Sequence, residues 1–587
     1  MININEFPTI SELADIENNF RVFAGPGAGK TTWLIQHLEQ VLKYSNRLGS
    51  TRKIACITYT NVATEEIRNG LKCDKSRFDI STIHSFLYRN IVKPFSFLIA
   101  NDENGEMLFD IKKLNGHDEH IPHNDKIRRW LVTIGQMNKK NYNLYNAPEN
   151  KQKVIEELAS IDYSFIGENI ELVIRKHFGA KIPQNNGELW IYKKKYWHDG
   201  IMHHEDVLYF SYIIIQIAPR VLEFIRNKFP YIFIDEFQDT TELQTWIIRR
   251  IADKETRVGV IGDLVQSIYK FAGAKRNDFE NFDLERIKNF KIEKNHRSTK
   301  KIINFLNHLR EDIIQRPTEA TIEGNEVRLL IGSIIDVKIW LERNGFSNVF
   351  ILTRKNDVAN QIQNEISSKK IDLLKEYYTF DSNSSRVKVI HSILMGYKYY
   401  KNKHLKDALR ETLKPLLEVK ADINISKFAL RKFAIKIIEN LDDKQTMQKT
   451  LFDYYDNLWE DVNNHLGLRI GQKVTKGKVR TFYENNLLSD LLPYIKVDTK
   501  SDDLIRTIHS AKGTEFENVL VHFESLIDFE KYVLDVKKYL DSKEDDARIY
   551  YVGFSRAKRN LFINIPEVND NIKSHSKEFE LELLYIN

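Results

Sequence analysis

Ile232-Phe233-Ile234-Asp235-Glu236-Phe237-Gln238-Asp239-Thr240 decides how this chain is read. Three apolar residues in a row mark the end of a buried strand. The run then breaks into two adjacent carboxylates, which can hold Mg²⁺ and orient a water. An Asp-Glu pair after a strand is common, and it gains meaning from Ala24-Gly25-Pro26-Gly27-Ala28-Gly29-Lys30-Thr31, roughly two hundred residues earlier. That stretch follows the apolar run Val22-Phe23-Ala24 and opens a helix-like segment beginning Thr32-Trp33-Leu34-Ile35. Strand, loop and helix in this order are what a phosphate loop requires. The small residues Gly25, Gly27, Ala28 and Gly29 let backbone N–H groups turn towards phosphates, and the helix N-terminus adds a favourable field. Lys30 is placed for the terminal phosphates and Thr31 for Mg²⁺, with Thr32 beside them. Ala24 stands where the strict pattern has glycine and keeps the bulk low.

A chain of 587 residues is too long for one core and points to about four domains. Its 42% hydrophobic and 29% charged residues describe an ordinary globular protein. No apolar stretch reaches spanning length, and Met1-Ile2-Asn3-Ile4-Asn5-Glu6 lacks a basic region followed by an apolar one, so a cytoplasmic protein with no membrane partner is expected. Two cysteines, Cys56 and Cys73, exclude a disulfide framework. The net charge of +6 permits nucleic acid binding through local basic patches without demanding it. Polar stretches at 101–105 and 381–385 are the candidate domain boundaries.

Further strand-to-turn patterns follow. Ile57-Thr58-Tyr59-Thr60-Asn61 and Ile80-Ser81-Thr82-Ile83-His84-Ser85 read as second and third αβ units of a parallel sheet. Val260-Ile261-Gly262-Asp263 ends another buried strand, and Gln266, Tyr269 and Phe271 come just after it. An amide there can sense a terminal phosphate, and rings can stack on a base, although core packing at a strand end is the better reading of the rings taken alone. The segment 190–197, Trp-Ile-Tyr-Lys-Lys-Lys-Tyr-Trp, interleaves basic and aromatic residues. It reads first as a solvated helix face, with a DNA contact as the sharper alternative.

With these stretches in place, the chain resembles the superfamily 1 helicases of the UvrD, Rep and PcrA type. The remaining matches, in order, are the segments 292–299 (Ile-Glu-Lys-Asn-His-Arg-Ser-Thr), 351–356, 508–516 and 548–558. The resemblance implies an α/β fold of two RecA-like P-loop domains with parallel sheets, each carrying an inserted, mainly helical domain. The intervals assign 1–89 and 206–285 to the first RecA-like domain and 90–205 to its insertion. They assign 286–375 and 501–587 to the second RecA-like domain and 376–500 to its insertion.

The resemblance also implies roles by position. ATP and Mg²⁺ are the expected cofactors, with Asp235 completing the metal shell and Glu236 as the base for the attacking water. Gln266 would report the γ-phosphate to the DNA track, with Gln238 nearby. Arg297 and Arg556 would stabilise charge on the transferring phosphoryl group, and Glu515, beside Gly513, would contact the ribose. Tyr59, Thr60, Asn61, His84, Ser85, Tyr269, Phe271, Arg354 and His509 would line a single-strand DNA channel. The implied activity is ATP-driven, single-strand-stimulated translocation and 3′-to-5′ unwinding of single-stranded and partly duplex DNA.

Three positions depart from the family pattern. Residues 1–29 contain no glutamine to read the adenine edge, His296 replaces the adenine-stacking tyrosine, and Ala272 replaces an arginine after the motif aromatic. An alternative of another class is a nucleotide- and DNA-end-sensing regulatory subunit of a separate nuclease, as in compact UvrD-like members of anti-phage systems such as Gabija.

Overall fold

The computed structural model describes all residues except 1–3, 11, 103, 137–144, 146, 167–168, 182–184, 253–254, 271–272, 275, 367–376, 378–380, 382, 402–403, 420–425, 493–494, 496–503, 541–544 and 587. It divides into two compact units, 361–503 and the remainder of the chain.

The larger unit is built on two six-stranded sheets whose strands all run parallel. The first contains β1 (Phe20–Ala24), β2 (Ile54–Thr58), β3 (Phe78–Thr82), β6 (Tyr231–Ile234), β7 (Arg257–Gly262) and β8 (Lys288–Ile292), in the order β3-β2-β6-β7-β1-β8. The strands β1, β2 and β6 are buried at every residue, as expected when helices cover both faces. Between β3 and β6 the chain is mostly helical but includes an antiparallel hairpin, β4 (Ile161–Ile166) with β5 (Asn169–Ile174). The second sheet has the order β13-β12-β14-β15-β11-β16, from β11 (Val327–Ile331), β12 (Val349–Thr353), β13 (Ile505–Thr507), β14 (Phe516–His522), β15 (Ala557–Ile565) and β16 (Leu581–Tyr585). A two-residue parallel pair, β9 (Lys294–Asn295) with β10 (Arg316–Pro317), lies between the two sheets in sequence. The fold is therefore the expected α/β class with two parallel-sheet layers.

The unit 361–503 is helical, with Ser384–Lys401, Leu405–Val419, Lys427–Asp442 and Leu451–Leu466 as its longest elements. Its core includes Ile390, Leu394, Leu441, Val462 and Tyr483. The polar stretch 381–385 is no linker. Asp381 is buried and accepts hydrogen bonds from Arg386 at 2.6 Å and from the Tyr483 hydroxyl at 2.6 Å. Composition misleads here because a buried ion pair reads, in sequence, like a surface loop.

The segment 190–197 also departs from its reading as a solvated face. It lies in the helix Asn186–Trp197, and Tyr192, Tyr196 and Trp197 are fully buried in the core that backs the first sheet. Lys193 is buried with them, 2.7 Å from Glu205 and 2.8 Å from Asp206. No single helix among the described residues is long and apolar enough to cross a membrane.

Candidate ATP and DNA site

Parallel strands bring their C-terminal ends to one edge of a sheet, and loops leaving that edge converge. In the first sheet these are the loop after β1, the Asp235-Glu236 turn after β6 and Asp263 after β7. Gly27 and Gly29 adopt left-handed φ values of 70° and 75°, and Gly29 caps the helix Lys30–Tyr44. That places the helix N-terminus, with Lys30, Thr31 and Thr32, at the loop. Side chains from the second half of the chain wall the loop. A Cβ on Gly27 would fall 2.6 Å from Asn295 Oδ1, and one on Gly25 would fall 2.6 Å from Gln315 Nε2. The Pro26 carbonyl accepts from Asn295 Nδ2 at 3.1 Å and Gln315 Nε2 at 2.7 Å, and the Gly27 carbonyl accepts from the His296 N–H at 2.8 Å. The exposed His296 ring lies 3.7 Å from the position of a Gly29 Cβ.

The carboxylates are held from several directions. The Asp235 N–H donates to the Ile57 carbonyl at 2.9 Å, continuing the β2–β6 pairing past the strand end. Glu236 has a φ of 53°, an uncommon conformation for a side chain of its size that re-aims the carboxylate. Gln238 donates from Nε2 to Glu236, and its Oε1 accepts the Asp263 N–H at 3.0 Å. Burial, and then the like charge of Glu236, raise the Asp235 carboxyl above its ordinary range. Burial pushes Glu236 the same way, yet Lys30, Lys512, Gln238 and Arg556 hold it below its usual value. Two adjacent carboxylates, Asp235 buried and driven towards its protonated form and Glu236 half-buried, have the chemistry of a divalent-cation site.

Two guanidiniums come from beyond the first sheet, Arg297 from the turn after β9 and Arg556 from just before β15. Arg297 donates to the Ser555 carbonyl at 3.0 Å and to Glu515 at 3.3 Å. Arg556 is buried and donates from Nη2 to Gln266 Oε1 at 3.0 Å and from Nε to the Val552 carbonyl at 3.0 Å. Burial and the neighbouring Arg297 lower its pKa to about 9. A buried guanidinium whose charge is disfavoured in this way is suited to binding an anion.

Sequence reasoning named Gln238 and Gln266 but gave no role to Asp239, Asp263, Arg310 or Lys512, which connect these parts. Gln266 Nε2 donates to Asp263 Oδ2 at 2.7 Å. A continuous hydrogen-bonded chain therefore runs Glu236, Gln238, Asp263, Gln266, Arg556. Asp263 is also gripped by Arg310 at 3.0 and 3.2 Å, and Arg310 in turn donates to Tyr551 at 3.1 Å, all with buried side chains. Asp239 pairs with Lys512 at 2.6 Å, and Lys512 also donates to the Gln266 carbonyl at 2.7 Å. Burial raises Asp239 to about 7, against the pull of Lys512. A buried polar residue beyond the Asp-Glu turn was the available signal for Asp239. Nothing in sequence spacing pairs Asp263 with Arg310.

The residues expected to line a DNA strand separate into groups. Tyr59 and Tyr269 stack on each other, with centroids 5.1 Å apart. The Lys512 ammonium lies 4.6 Å over the Tyr269 ring, and the His509 ring is 6.4 Å away. His84 stacks on His204 at 5.3 Å, and burial followed by His204 and His117 lowers its pKa to about 3. Tyr59 and His84 line one cavity of about 340 Å³ together with Asp162, Arg175, His204 and Asp239. Thr60 caps the helix Asn61–Gly70 through the Ala63 N–H at 3.2 Å, leaving Asn61 exposed at its first position. The Ser85 hydroxyl accepts from Thr82 at 3.1 Å. Arg354 forms an ion pair with Asp546. Gly513 takes a φ of 78° just before Glu515. Phe271 and Ala272 lie outside the described residues.

One further cluster has metal-ligand chemistry: His120, His203 and Glu205, with donor atoms within 4.8 Å of one another. The Lys193 ammonium sits among them, 3.1 Å from His203 Nδ1 and 2.7 Å from Glu205, so a buried cation is already in place.

Comparison with known proteins agrees with this geometry. Residues 9–288 match the UvrD/REP helicase N-terminal domain, and residues 472–567 match the UvrD-like helicase C-terminal domain. ATP-dependent DNA helicase PcrA of Staphylococcus epidermidis is 22% identical over 93% of this chain and 81% of its own length. DNA helicase II of Escherichia coli is 22% identical over 94% of this chain and 82% of its own. The Gabija protein GajB of Bacillus cereus is 23% identical over 94% of each. The two matches, in order and together over most of the sequence, show that the chain belongs to the UvrD/REP helicase family.

Proposed function

We propose that this ATP-dependent DNA helicase is stimulated by single-stranded DNA and moves 3′ to 5′ along it. The observation that carries the reading is the hydrogen-bonded chain from Glu236 through Gln238, Asp263 and Gln266 to Arg556. It links a candidate base on one sheet to a candidate charge-stabilising arginine on the other, beside the ring cluster of Tyr59 and Tyr269. A strand that parts those rings shifts the turn carrying Gln266, and with it the arginine. In this reading Lys30 and the loop N–H groups bind the ATP phosphates, while Thr31 and Asp235 would hold Mg²⁺, which neutralises phosphate charge. Glu236 takes the proton of the attacking water, and Arg297 and Arg556 stabilise the transferring phosphoryl group. The test is unwinding of duplexes with a single 3′ or 5′ tail, with ATPase measured with and without single strands. Selective opening of the 3′-tailed duplex supports the reading, and equal opening of both overturns the direction.

A second reading is favoured by one observation. The similarity to GajB spans 94% of both chains, whereas PcrA and DNA helicase II extend well beyond the matched region. We therefore also propose that the chain works beside a separate nuclease in anti-phage defence, sensing nucleotide and DNA ends. Co-purification of a nuclease with the tagged chain from its native cell, with nuclease activity changing on ATP addition, tests this.

A further inference from the structure

The edge of the first sheet opposite the phosphate loop carries a second concave site. Its cavity, about 750 Å³, is walled by Asn19 before β1, Arg257 at the start of β7, the start of the helix Arg220–Lys228, the end of the helix Glu242–Ile251 and the turn before β8. A five-residue strand spans about 17 Å, so the cavity is separated from the ATP loop by the length of a strand.

Among the described residues six arginines line it, Arg220, Arg226, Arg249, Arg250, Arg257 and Arg286, and no lysine. The carboxylates present are Glu17, Glu223, Asp283 and Glu285. Glu17 is taken by Arg47 at 2.7 Å, outside the wall, and also faces Arg257. Asp283 acts on the buried Arg21, and Glu285 lies 3.8 Å from Arg286, which leaves Arg220, Arg226, Arg249 and Arg250 as the excess positive charge over Glu223. Several of the guanidiniums are fixed in place. Arg226 donates to the Ile251 and Arg250 carbonyls at 3.1 and 2.6 Å, which caps the helix end. Arg249 donates to the Asn281 carbonyl at 2.8 Å and lies over Phe282, and Arg250 lies over Trp246. A fixed guanidinium fork loses little further entropy on binding an oxyanion, and its geometry matches phosphate. Among the described residues no aromatic ring lines the cavity to stack a base or anchor a peptide.

We propose that this arginine-lined cavity is a second phosphate-binding site, taking a run of phosphates either from a nucleic acid backbone or from a free polyphosphate. The test uses the full chain carrying Lys30→Ala, which weakens phosphate binding at the loop. Tripolyphosphate binding is followed by calorimetry, and binding of a blunt duplex without single-stranded tails by anisotropy across a salt series. Arg249→Gln with Arg250→Gln, and Arg220→Gln separately, change exposed side chains. The expected result is at least a tenfold loss of tripolyphosphate affinity with an unchanged melting temperature. A parallel loss of duplex affinity, with a shallower salt slope, identifies backbone phosphates as the source. Loss for tripolyphosphate alone identifies a free polyphosphate. Unchanged binding of both probes overturns the proposal, as does loss of binding to a poly-glutamate peptide only.

Discussion

Replacing Arg310 by methionine tests the buried link between the sheets. The guanidinium is fully buried and makes two bonds to Asp263, two to Asp312 and one to Tyr551. In the native protein burial pushes Asp263 up, but Arg310 and Lys30 hold it below the ordinary carboxylate range. Its contribution to stability is therefore present above the unfolded-state pKa and lost as pH falls through the lower, folded one. Without Arg310 the carboxylate stays buried and loses its main partner, at a cost of about 3–5 kcal/mol. The folded pKa of Asp263 then rises, so acid relieves the penalty, and the deficit against wild type shrinks as pH drops below neutral. Urea unfolding followed by tryptophan fluorescence at several pH values measures this. Adding Asp263→Asn to Arg310→Met should recover much of the loss, because the stranded charge is gone. A deficit under about 1 kcal/mol, one that does not vary with pH, or a double variant no better than the single, would refute the reasoning.

Gly27→Val should abolish ATP binding, since its Cβ meets Asn295 and Arg297 at 2.6 and 2.7 Å and the φ of 70° disfavours a branched side chain; nucleotide titration checks it. Tyr59→Ala and Tyr269→Ala should each weaken single-strand affinity by about 1–3 kcal/mol without changing sequence preference, read by anisotropy on oligonucleotides of different composition. Nucleotide choice should be loose, because no glutamine precedes the loop and His296 is exposed. The kcat/KM ratio for ATP over GTP should stay well under about a thousandfold, some 4 kcal/mol, and His296→Tyr should raise it.

Much of the fold was legible because parallel strands buried on both faces write continuous apolar runs, as at Val22-Phe23-Ala24 and Ile232-Phe233-Ile234, and each ends in a residue with evident chemistry. The loop and the carboxylate turn were legible for the same reason: local spacing fixes them. Contacts made across the fold were not. Gln238 was expected near the γ-phosphate; that it also bonds Glu236 to the Asp263 backbone was not foreseen. Asp263 and Arg310 are 47 residues apart, with no periodicity to connect them. The hairpin β4–β5 escaped notice although Ile161-Asp162-Tyr163-Ser164-Phe165 alternates apolar and polar, because the whole interval 90–205 was read as a helical insertion. Its neighbour Arg175 reaches the turn that carries Tyr269, with its Nη2 2.7 Å from where a Gly273 Cβ would lie. The segment 190–197 misled because three lysines in a row suggest solvent, whereas one of them is neutralised inside the core by two carboxylates.

The most direct test of the account is Glu236→Gln, which keeps the shape of the turn and removes the base. ATP should bind with near wild-type affinity in the presence of Mg²⁺, while steady-state hydrolysis on single-stranded DNA falls by at least about a thousandfold, of order 4 kcal/mol in the barrier. Hydrolysis near the wild-type rate would contradict the assignment of Glu236, and with it the proposed path from base to arginine.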